Sequence, residues 1–319
     1  MTKATKIQPM KRNSIWLFCL YFVFFSCDSI EDKKGRFLLK GNEKLAENDP
    51  KGAIAFYQEA LELDSLYKDA YFNKALAHLE LNQLNESILD FSKAIQIDQN
   101  YIEAIFQRGL TYLDNGEFYK AKADAENLLN KASEDWRSYF LLGLSEEKLK
   151  NYQGALAAFQ RAKELDPDNS DLWVNEATVL FYQEDLIKAL TSLEKAEELN
   201  PMEANIYNLR SMILFAQGEY SKANSEVDKA LEISPSQAYF YNNKGLYLLF
   251  LEDLEGGLDL INQSIKMDPK NQFALRNKGI YYVLKNDKES ALSYLTRLNE
   301  DFPDMDLVKE YYEKAQALE

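Results

Sequence analysis

Small, aromatic and proline residues recur along this chain with a period of 34 residues. Five of its seven prolines are each separated by that interval: Pro167, Pro201, Pro235, Pro269 and Pro303. The same frame extends towards the N-terminus without an insertion. A fixed period of about 20–50 residues is typical of proteins built from repeated supersecondary units. The pattern therefore predicts eight consecutive units, at residues 34–67, 68–101, 102–135, 136–169, 170–203, 204–237, 238–271 and 272–305.

Two positions in each unit always hold a small residue. The eighth residue is glycine, alanine or serine in every unit, as in Gly143 and Ser211, and so is the twentieth, as in Ala155 and Gly257. Small residues let two helices approach closely, and aromatic residues at the fourth and twenty-fourth positions fill the remaining space. Each unit is therefore predicted to be a pair of antiparallel helices.

Turn-forming residues separate the predicted helices. The sequences NGEF at 115–118 and QGEY at 217–220 lie between two helical stretches, and ELDP at 164–167 ends a second helix. Proline lacks the backbone donor and disfavours helix in the residue before it. Together these features closely resemble the tetratricopeptide repeat over residues 34–305. The resemblance implies an all-α fold, a right-handed superhelical solenoid of eight helix-turn-helix repeats.

Residues 306–319 are predicted to form one further helix. Leu307, Tyr311, Ala315 and Leu318 recur at helical spacing, with charged residues between them. Repeat arrays need terminal elements with a polar outer face. We therefore expect a capping helix after the eighth unit.

An uncharged segment at residues 15–26 precedes the repeats. It is too short for a membrane-spanning helix, which needs about 20 apolar residues. Basic residues lie upstream, and the small residue Ser26 is followed directly by Cys27. This order is the pattern of a secretory signal. It resembles the lipobox of bacterial lipoproteins, although Phe24 stands where that family usually has leucine.

The lipobox resemblance implies a signal peptide at residues 1–26, acylation of Cys27 and a short linker at residues 27–33. The alternative is an ordinary signal peptide that leaves Cys27 as a free thiol. The expected location is the cell envelope, with a lipid anchor in a membrane. Asp28 favours the inner membrane under one set of bacterial sorting rules, whereas Glu31 and Asp32 accompany surface display under another. The outer membrane, on its periplasmic or surface face, is the favoured location.

Charge and composition exclude several kinds of function. The chain has 52 acidic and 37 basic residues, a net charge of −15, which makes nucleic acid a poor partner. Its single histidine, His78, is expected to pack on a helix face. The sequence offers no catalytic triad, no zinc-ligand pattern and no phosphate-binding loop. We therefore expect a non-enzymatic protein without a metal or cofactor.

The resemblance also implies a concave groove lined by residues two, five, nine and twelve of each unit. In the N-terminal half, the fifth and ninth positions are apolar, at Phe72, Leu76, Phe106, Leu110, Phe140 and Leu144. Towards the C-terminus the fifth position is polar, at Asn208, Asn242 and Arg276. These nine residues are the predicted partner-binding residues. The alternative for the three phenylalanines is that they pack between helices.

The predicted function is a membrane-anchored protein–protein interaction scaffold of the bacterial cell envelope. Lipoproteins with tetratricopeptide arrays include pilus-assembly pilotins, outer-membrane assembly subunits and adaptors for envelope proteases. No unit has the lysine–asparagine pair of the carboxylate clamp, so chaperone-tail binding is excluded. The partner is expected to be an apolar peptide segment of another protein or a second copy of this chain. The alternative function is an exported module that binds a small ligand or glycan in an aromatic groove.

Overall fold

The computed structural model describes residues 29–319, and every regular element in that range is an α-helix. In chain order the helices are α1 (Ile30–Ala46), α2 (Pro50–Leu63), α3 (Lys68–Glu80), α4 (Leu84–Ile97), α5 (Ile102–Asp114), α6 (Phe118–Lys131), α7 (Trp136–Lys148), α8 (Tyr152–Leu165), α9 (Ser170–Tyr182), α10 (Leu186–Leu199), α11 (Ala204–Ala216), α12 (Tyr220–Ile233), α13 (Ala238–Phe250), α14 (Leu254–Met267), α15 (Gln272–Leu284), α16 (Lys288–Asp301) and α17 (Val308–Ala317).

The helices recur with the period of the sequence. The second helices of the pairs begin 34 residues apart from Pro50 to Lys288, and the first helices do so from Lys68 to Gln272. Each helix from α2 to α16 contacts the helix before it and the helix after it. The pairs therefore stack in chain order, as in solenoid proteins. The predicted all-α solenoid of eight helix pairs with a terminal helix is confirmed.

The turn inside each pair has the same backbone conformation in all eight units. Its fifteenth residue has a positive φ, from 54° at Asn82 to 79° at Gly218. This left-handed conformation reverses the chain after the first helix, and glycine or asparagine adopts it most readily. Lys150, Glu184 and Glu252 adopt it as well. The turn is therefore fixed by the repeat as a whole and not by glycine alone.

The small positions seen in the sequence are where the helices of a pair touch. All residues at the eighth and twentieth positions are buried. A Cβ atom added to Gly143 would lie 2.5 Å from the Phe159 ring in the second helix of the same unit. Unit three differs, because its twenty-fourth residue is Ala125 and Leu141 of the next unit packs on Gly109 instead.

The first helix begins earlier than the repeat frame. Ser29 caps α1 by accepting a hydrogen bond from the Asp32 backbone, while the Asp32 side chain accepts one from the Ser29 backbone. This capping box starts the helix at Ile30, inside the segment expected to be a linker. Cys27 and residues 15–26 lie outside the described residues. Their proposed roles stay predictions.

The terminal helix covers the last two units. Helix α17 is shorter than residues 306–319, because Leu307 has a left-handed φ of 63° and ends the preceding turn. Val308, Tyr311 and Ala315 are buried. The helix packs on α15 and α16, and the Tyr311 ring lies 6.4 Å from the Phe250 ring of α13. Across residues 29–319, no helix combines the length and apolar character needed to cross a bilayer.

Candidate functional site

The predicted apolar strip lies largely between helices. Phe106 is 7% exposed, and the Arg137 guanidinium lies 5.6 Å from the centre of its ring. The Phe72 ring contacts the rings of Phe91 and Tyr101, at centroid distances of 5.6 and 5.2 Å. These contacts join the first helix of a unit to its own second helix and to the next unit. They give the rings a packing role.

Phe140 has the same kind of surroundings. Its ring lies 5.7 Å from the Trp136 ring and 6.1 Å from the Phe159 ring of the second helix. The leucines of the strip are half-buried: Leu76, Leu110 and Leu144. The docking role of the strip stays a prediction, and the rings offer a partner less surface than the sequence implied.

The polar residues of the predicted groove are linked through the neighbouring Asn243 and Asn277, and Asn242 donates to the Asn243 side-chain oxygen at 3.4 Å. Asn208, Asn242 and Arg276 are 7%, 1% and 5% exposed. Asn243 donates to the Asn208 side-chain oxygen at 2.9 Å, and Asn277 donates to that of Asn242 at 2.7 Å. Arg276 Nε donates to the Asn277 side-chain oxygen at 2.9 Å. The structure therefore brings these residues together as a buried network across units six to eight.

Arg276 also connects this network to the segment before α17. One of its terminal nitrogens donates to the backbone oxygen of Asp306 at 3.0 Å. Burial lowers the pKa of Arg276 to about 10, which still leaves the guanidinium charged at neutral pH. Buried charge requires hydrogen-bond partners. The Asp306 carbonyl is thus fixed by the last repeat.

An open cleft of about 720 Å³ lies between the α16–α17 connection (residues 302–307) and the ends of α7 and α9. Its lining includes Phe181, Met212 and Phe273, which are the twelfth, ninth and second residues of their units. These are positions expected to face the groove. We refer to this space, with residues 301–306 as one wall, as the terminal cleft.

The terminal cleft exposes large aromatic side chains. Tyr182, Phe273 and Phe302 are 48%, 52% and 40% exposed, and they come from three different elements. The Tyr152 ring stacks on Tyr182 at a centroid distance of 5.8 Å. Exposed apolar groups that cluster in one place mark interaction sites more often than isolated ones do. The terminal cleft is therefore a candidate binding surface among the described residues.

Acidic groups outnumber basic groups around the same cleft. Its charged lining residues are Glu147, Lys148, Lys150, Asp301, Asp304 and Asp306. Lys148 pairs with Glu147 at 3.2 Å and Asp301 pairs with Arg297 at 3.1 Å, so these charges offset one another. Burial raises the pKa of the Tyr182 hydroxyl, and the negative charges of Glu147 and Asp306 add to that effect. The remaining lining charges are Lys150, Asp304 and Asp306, and the buried Arg276 guanidinium attracts the Asp306 carboxylate.

Sequence reasoning missed this cleft, although two signals for it exist. Phe302 is the thirty-first residue of its unit, where the other units have aspartate, asparagine, serine or alanine. Aromatic residues at the second position occur only in the last two units, at Tyr239 and Phe273. The period alone does not reveal that the α16–α17 connection lies near unit five. The cleft requires that long-range contact.

Side chains suited to metal chemistry are not grouped in the described part of the chain. Residues 29–319 contain no cluster of three or more histidine, cysteine, aspartate or glutamate side chains that could hold a metal ion. His78 is half-buried, with its Nδ1 atom 2.7 Å from the Gln83 side-chain oxygen and its Nε2 atom 3.5 Å from Asp90. Its contacts are those of a helix-packing residue.

Two protein-family models match the chain. One, described as tetratricopeptide repeat, matches residues 106–170 and 174–238, and the other, described as TPR repeat, matches residues 77–116. The chain is built from tetratricopeptide repeats. Among curated proteins, none matches the sequence at a significant level.

Solved structures with the tetratricopeptide architecture are similar over much of the chain. Yeast Tom70 is 18% identical with a TM-score of 0.60, and the match covers 92% of this chain and 66% of that one. Pseudomonas aeruginosa PilF is 18% identical with a TM-score of 0.54, over 70% of this chain and 99% of that one. MamA from Desulfovibrio magneticus RS-1 is 20% identical with a TM-score of 0.50, over 54% and 98%. At these identities the likeness shows the fold alone.

Proposed function

We propose that this tetratricopeptide-repeat protein is a non-enzymatic scaffold that binds a partner protein on its concave face. The observation that carries the proposal is the terminal cleft, where Tyr182, Phe273 and Phe302 are each about half exposed. Solenoid proteins use extended concave surfaces of this kind for binding. The buried asparagine–arginine network supports the shape of that surface, and the exposed rings supply contact area.

The energetics favour a partner that contacts more than the cleft. Full burial of one such side chain contributes roughly 1.5–3 kcal/mol, and these rings are already about half buried. Association costs at least about 4 kcal/mol before any gain. The three rings alone therefore support only weak binding. A partner of useful affinity extends from the cleft along neighbouring first helices.

We further propose that the scaffold works in the cell envelope, held by an acylated Cys27 at the periplasmic or surface face of the outer membrane. The Ser26–Cys27 pair after a basic and apolar leader supports this proposal. Helix α1 begins at Ile30, only a few residues later. An acyl anchor at Cys27 would therefore hold the first repeat close to the bilayer.

Capture of the partner from cross-linked membranes tests the proposal. Tyr182, Phe273 and Phe302 are replaced together by serine, and the control variant carries Tyr119→Ser, which alters a ring that is 79% exposed outside the cleft. We expect one discrete protein to be captured by the unaltered chain and the control but not by the triple variant. Equal capture by all three, with unchanged helical circular dichroism, would contradict the proposed site.

A small ligand or glycan is the second candidate occupant. The cleft volume of about 720 Å³ falls within the range typical of small-molecule sites. The stacked pair of Tyr152 and Tyr182 offers a flat aromatic face. Calorimetric titration with a panel of oligosaccharides tests this candidate. Binding that disappears in the triple variant would favour it over a protein partner.

A further inference from the structure

The wall of the terminal cleft formed by residues 301–306 carries carboxylates that the cleft's lysines do not neutralise. In the described part of the chain, neither Lys148 nor Lys150 forms an ion pair with Asp304 or Asp306. Asp301 pairs with Arg297 at 3.1 Å, but its side chain is still 48% exposed. The negative charge of this wall therefore faces the space that a ligand would occupy.

The position of this wall is fixed by the buried network. Arg276 donates to the backbone oxygen of Asp306, so the Asp306 carboxylate takes no part in that bond. Arg276 itself is bonded to Asn277, which is bonded to Asn242. The network thus holds the wall by its main chain, and the charge of Arg276 also attracts the Asp306 carboxylate. Asp304 is the wall carboxylate for which the described residues supply no ion pair. Arg276 is a positioning residue in this arrangement.

Aromatic rings lie in the same cleft as these carboxylates. Tyr182 comes from α9, Phe273 from α15 and Phe302 from the α16–α17 connection. A cation is attracted to the face of an aromatic ring, and a carboxylate forms its strongest hydrogen bonds with charged donors. The alkyl part of a long basic side chain also packs on aromatic carbon. A long basic side chain therefore interacts favourably with both the aromatic rings and the carboxylates of the cleft.

We propose that the terminal cleft receives a lysine or arginine side chain, flanked by an apolar residue, from the partner protein. This inference rests on the proposed function and names the chemistry of the partner segment. The whole-chain charge of −15 favours association with a basic segment and disfavours an acidic one. A neutral apolar segment would bury the carboxylate of Asp304 without a partner, which is unfavourable.

Binding of short blocked peptides to the purified chain tests this inference. The probes are acetyl-Leu-Arg-Phe-amide and the same peptide with lysine, glutamine or glutamate at its centre, titrated by NMR. We expect the arginine and lysine peptides to bind about tenfold more tightly than the glutamine peptide. The difference should shrink as salt is raised from about 20 to about 500 mM, because screening weakens exposed charge pairs.

Two matched pairs of variants locate the site. Asp304→Asn combined with Asp306→Asn should reduce binding of the arginine peptide to the level of the glutamine peptide. Asp168→Asn should leave binding unchanged, because Asp168 occupies in unit four the position that Asp304 occupies in unit eight and does not line the cleft. Phe273→Ser should weaken binding of both peptides, whereas Tyr119→Ser should not.

The outcomes separate this inference from the proposed function. The arginine and glutamine peptides could bind with equal affinity, and Phe273→Ser could abolish the binding of both. That result would overturn the preference for a cation and leave the scaffold function in place. Tighter binding of the glutamate peptide would overturn it as well. If no peptide binds at millimolar concentration while the membrane partner is still captured through the cleft, the inference also fails. If the unaltered chain neither binds any of the peptides nor captures a partner protein, both the inference and the proposed function are refuted.

Discussion

Replacing Phe106 by alanine separates the aromatic residues of the core from those of the binding surface. Phe106 belongs to a buried cluster with Ile105, Ala125, Leu128 and Leu141, which lie on α5, α6 and α7. Its ring is 7% exposed, so removing it leaves a cavity that several helices would have to fill. Substitutions of this kind cost about 3–5 kcal/mol of unfolding free energy. That is a large part of the total of about 5–15 kcal/mol that natural domains have.

The matched control is Phe273→Ala. Phe273 is 52% exposed at the second position of its unit, and we expect its loss to change the unfolding free energy by less than about 1 kcal/mol. Urea unfolding followed by circular dichroism measures both changes. Because repeats are stabilised mainly by their nearest neighbours, hydrogen exchange in Phe106→Ala should rise first in α4 to α7. It should stay unchanged in α13 to α16.

A small effect of Phe106→Ala would refute this reasoning. If the variant loses less than about 1 kcal/mol and hydrogen exchange near α5 is unaltered, the ring is not part of the packing between helices. The Phe72, Phe106 and Phe140 strip would then be an exposed surface. In that case it, and not the terminal cleft, would be the stronger candidate for partner docking.

Three other predictions test the repeat packing, the turn and the anchor. Gly143→Ala should lower the unfolding free energy by about 1–3 kcal/mol, because the new methyl would meet the Phe159 ring. Adding Phe159→Leu should restore part of that loss, and an unchanged melting temperature of Gly143→Ala would contradict the packing. Gly116→Ala should lower the unfolding free energy by about 1–2 kcal/mol, because its φ is +74° and no neighbour crowds it. Gly35→Ala in α1 should raise the unfolding free energy by up to about 1 kcal/mol. Urea unfolding measures both, and changes of the same sign would contradict the backbone cause. Cys27→Ser should move the protein to the soluble fraction and abolish acyl labelling, and full membrane retention would exclude the anchor.

The fold could be predicted from the sequence because its constraints repeat and act over short distances. Gly143 and Ala155 are small since two helices touch there, and that requirement recurs in each unit. The left-handed residue that reverses the chain also recurs in each unit, and it is glycine in two of them, Gly116 and Gly218. A period of 34 residues therefore predicts both the helix pairs and the order in which they stack.

The candidate site could not be predicted in the same way, because it depends on contacts between distant units. The repeat assigns both the fifth position, held by Phe106, and the second position, held by Phe273, to the groove face, yet Phe106 is 7% exposed and Phe273 is 52% exposed. It also does not reveal that Asn242 is bonded to Asn277 and so has little capacity left for a ligand. Both facts depend on how successive units and the terminal segment pack against one another.

The earliest helix shows a smaller failure of the same kind. The repeat frame places the first unit at residue 34, yet α1 begins at Ile30. Ser29 and Asp32 form a local capping box, and this signal is independent of the period. Cap chemistry therefore sets the boundary of the first helix, and periodicity sets the spacing of the others.

Site-specific photo-cross-linking in cells tests the central claim most directly. A photoreactive phenylalanine analogue is placed at Phe302 in the terminal cleft, and in a separate chain at Ile187, which is 81% exposed on α10 outside it. We predict a cross-link to one partner protein from position 302 and none from position 187. The same adduct from both positions, or from position 187 alone, would contradict docking in the terminal cleft.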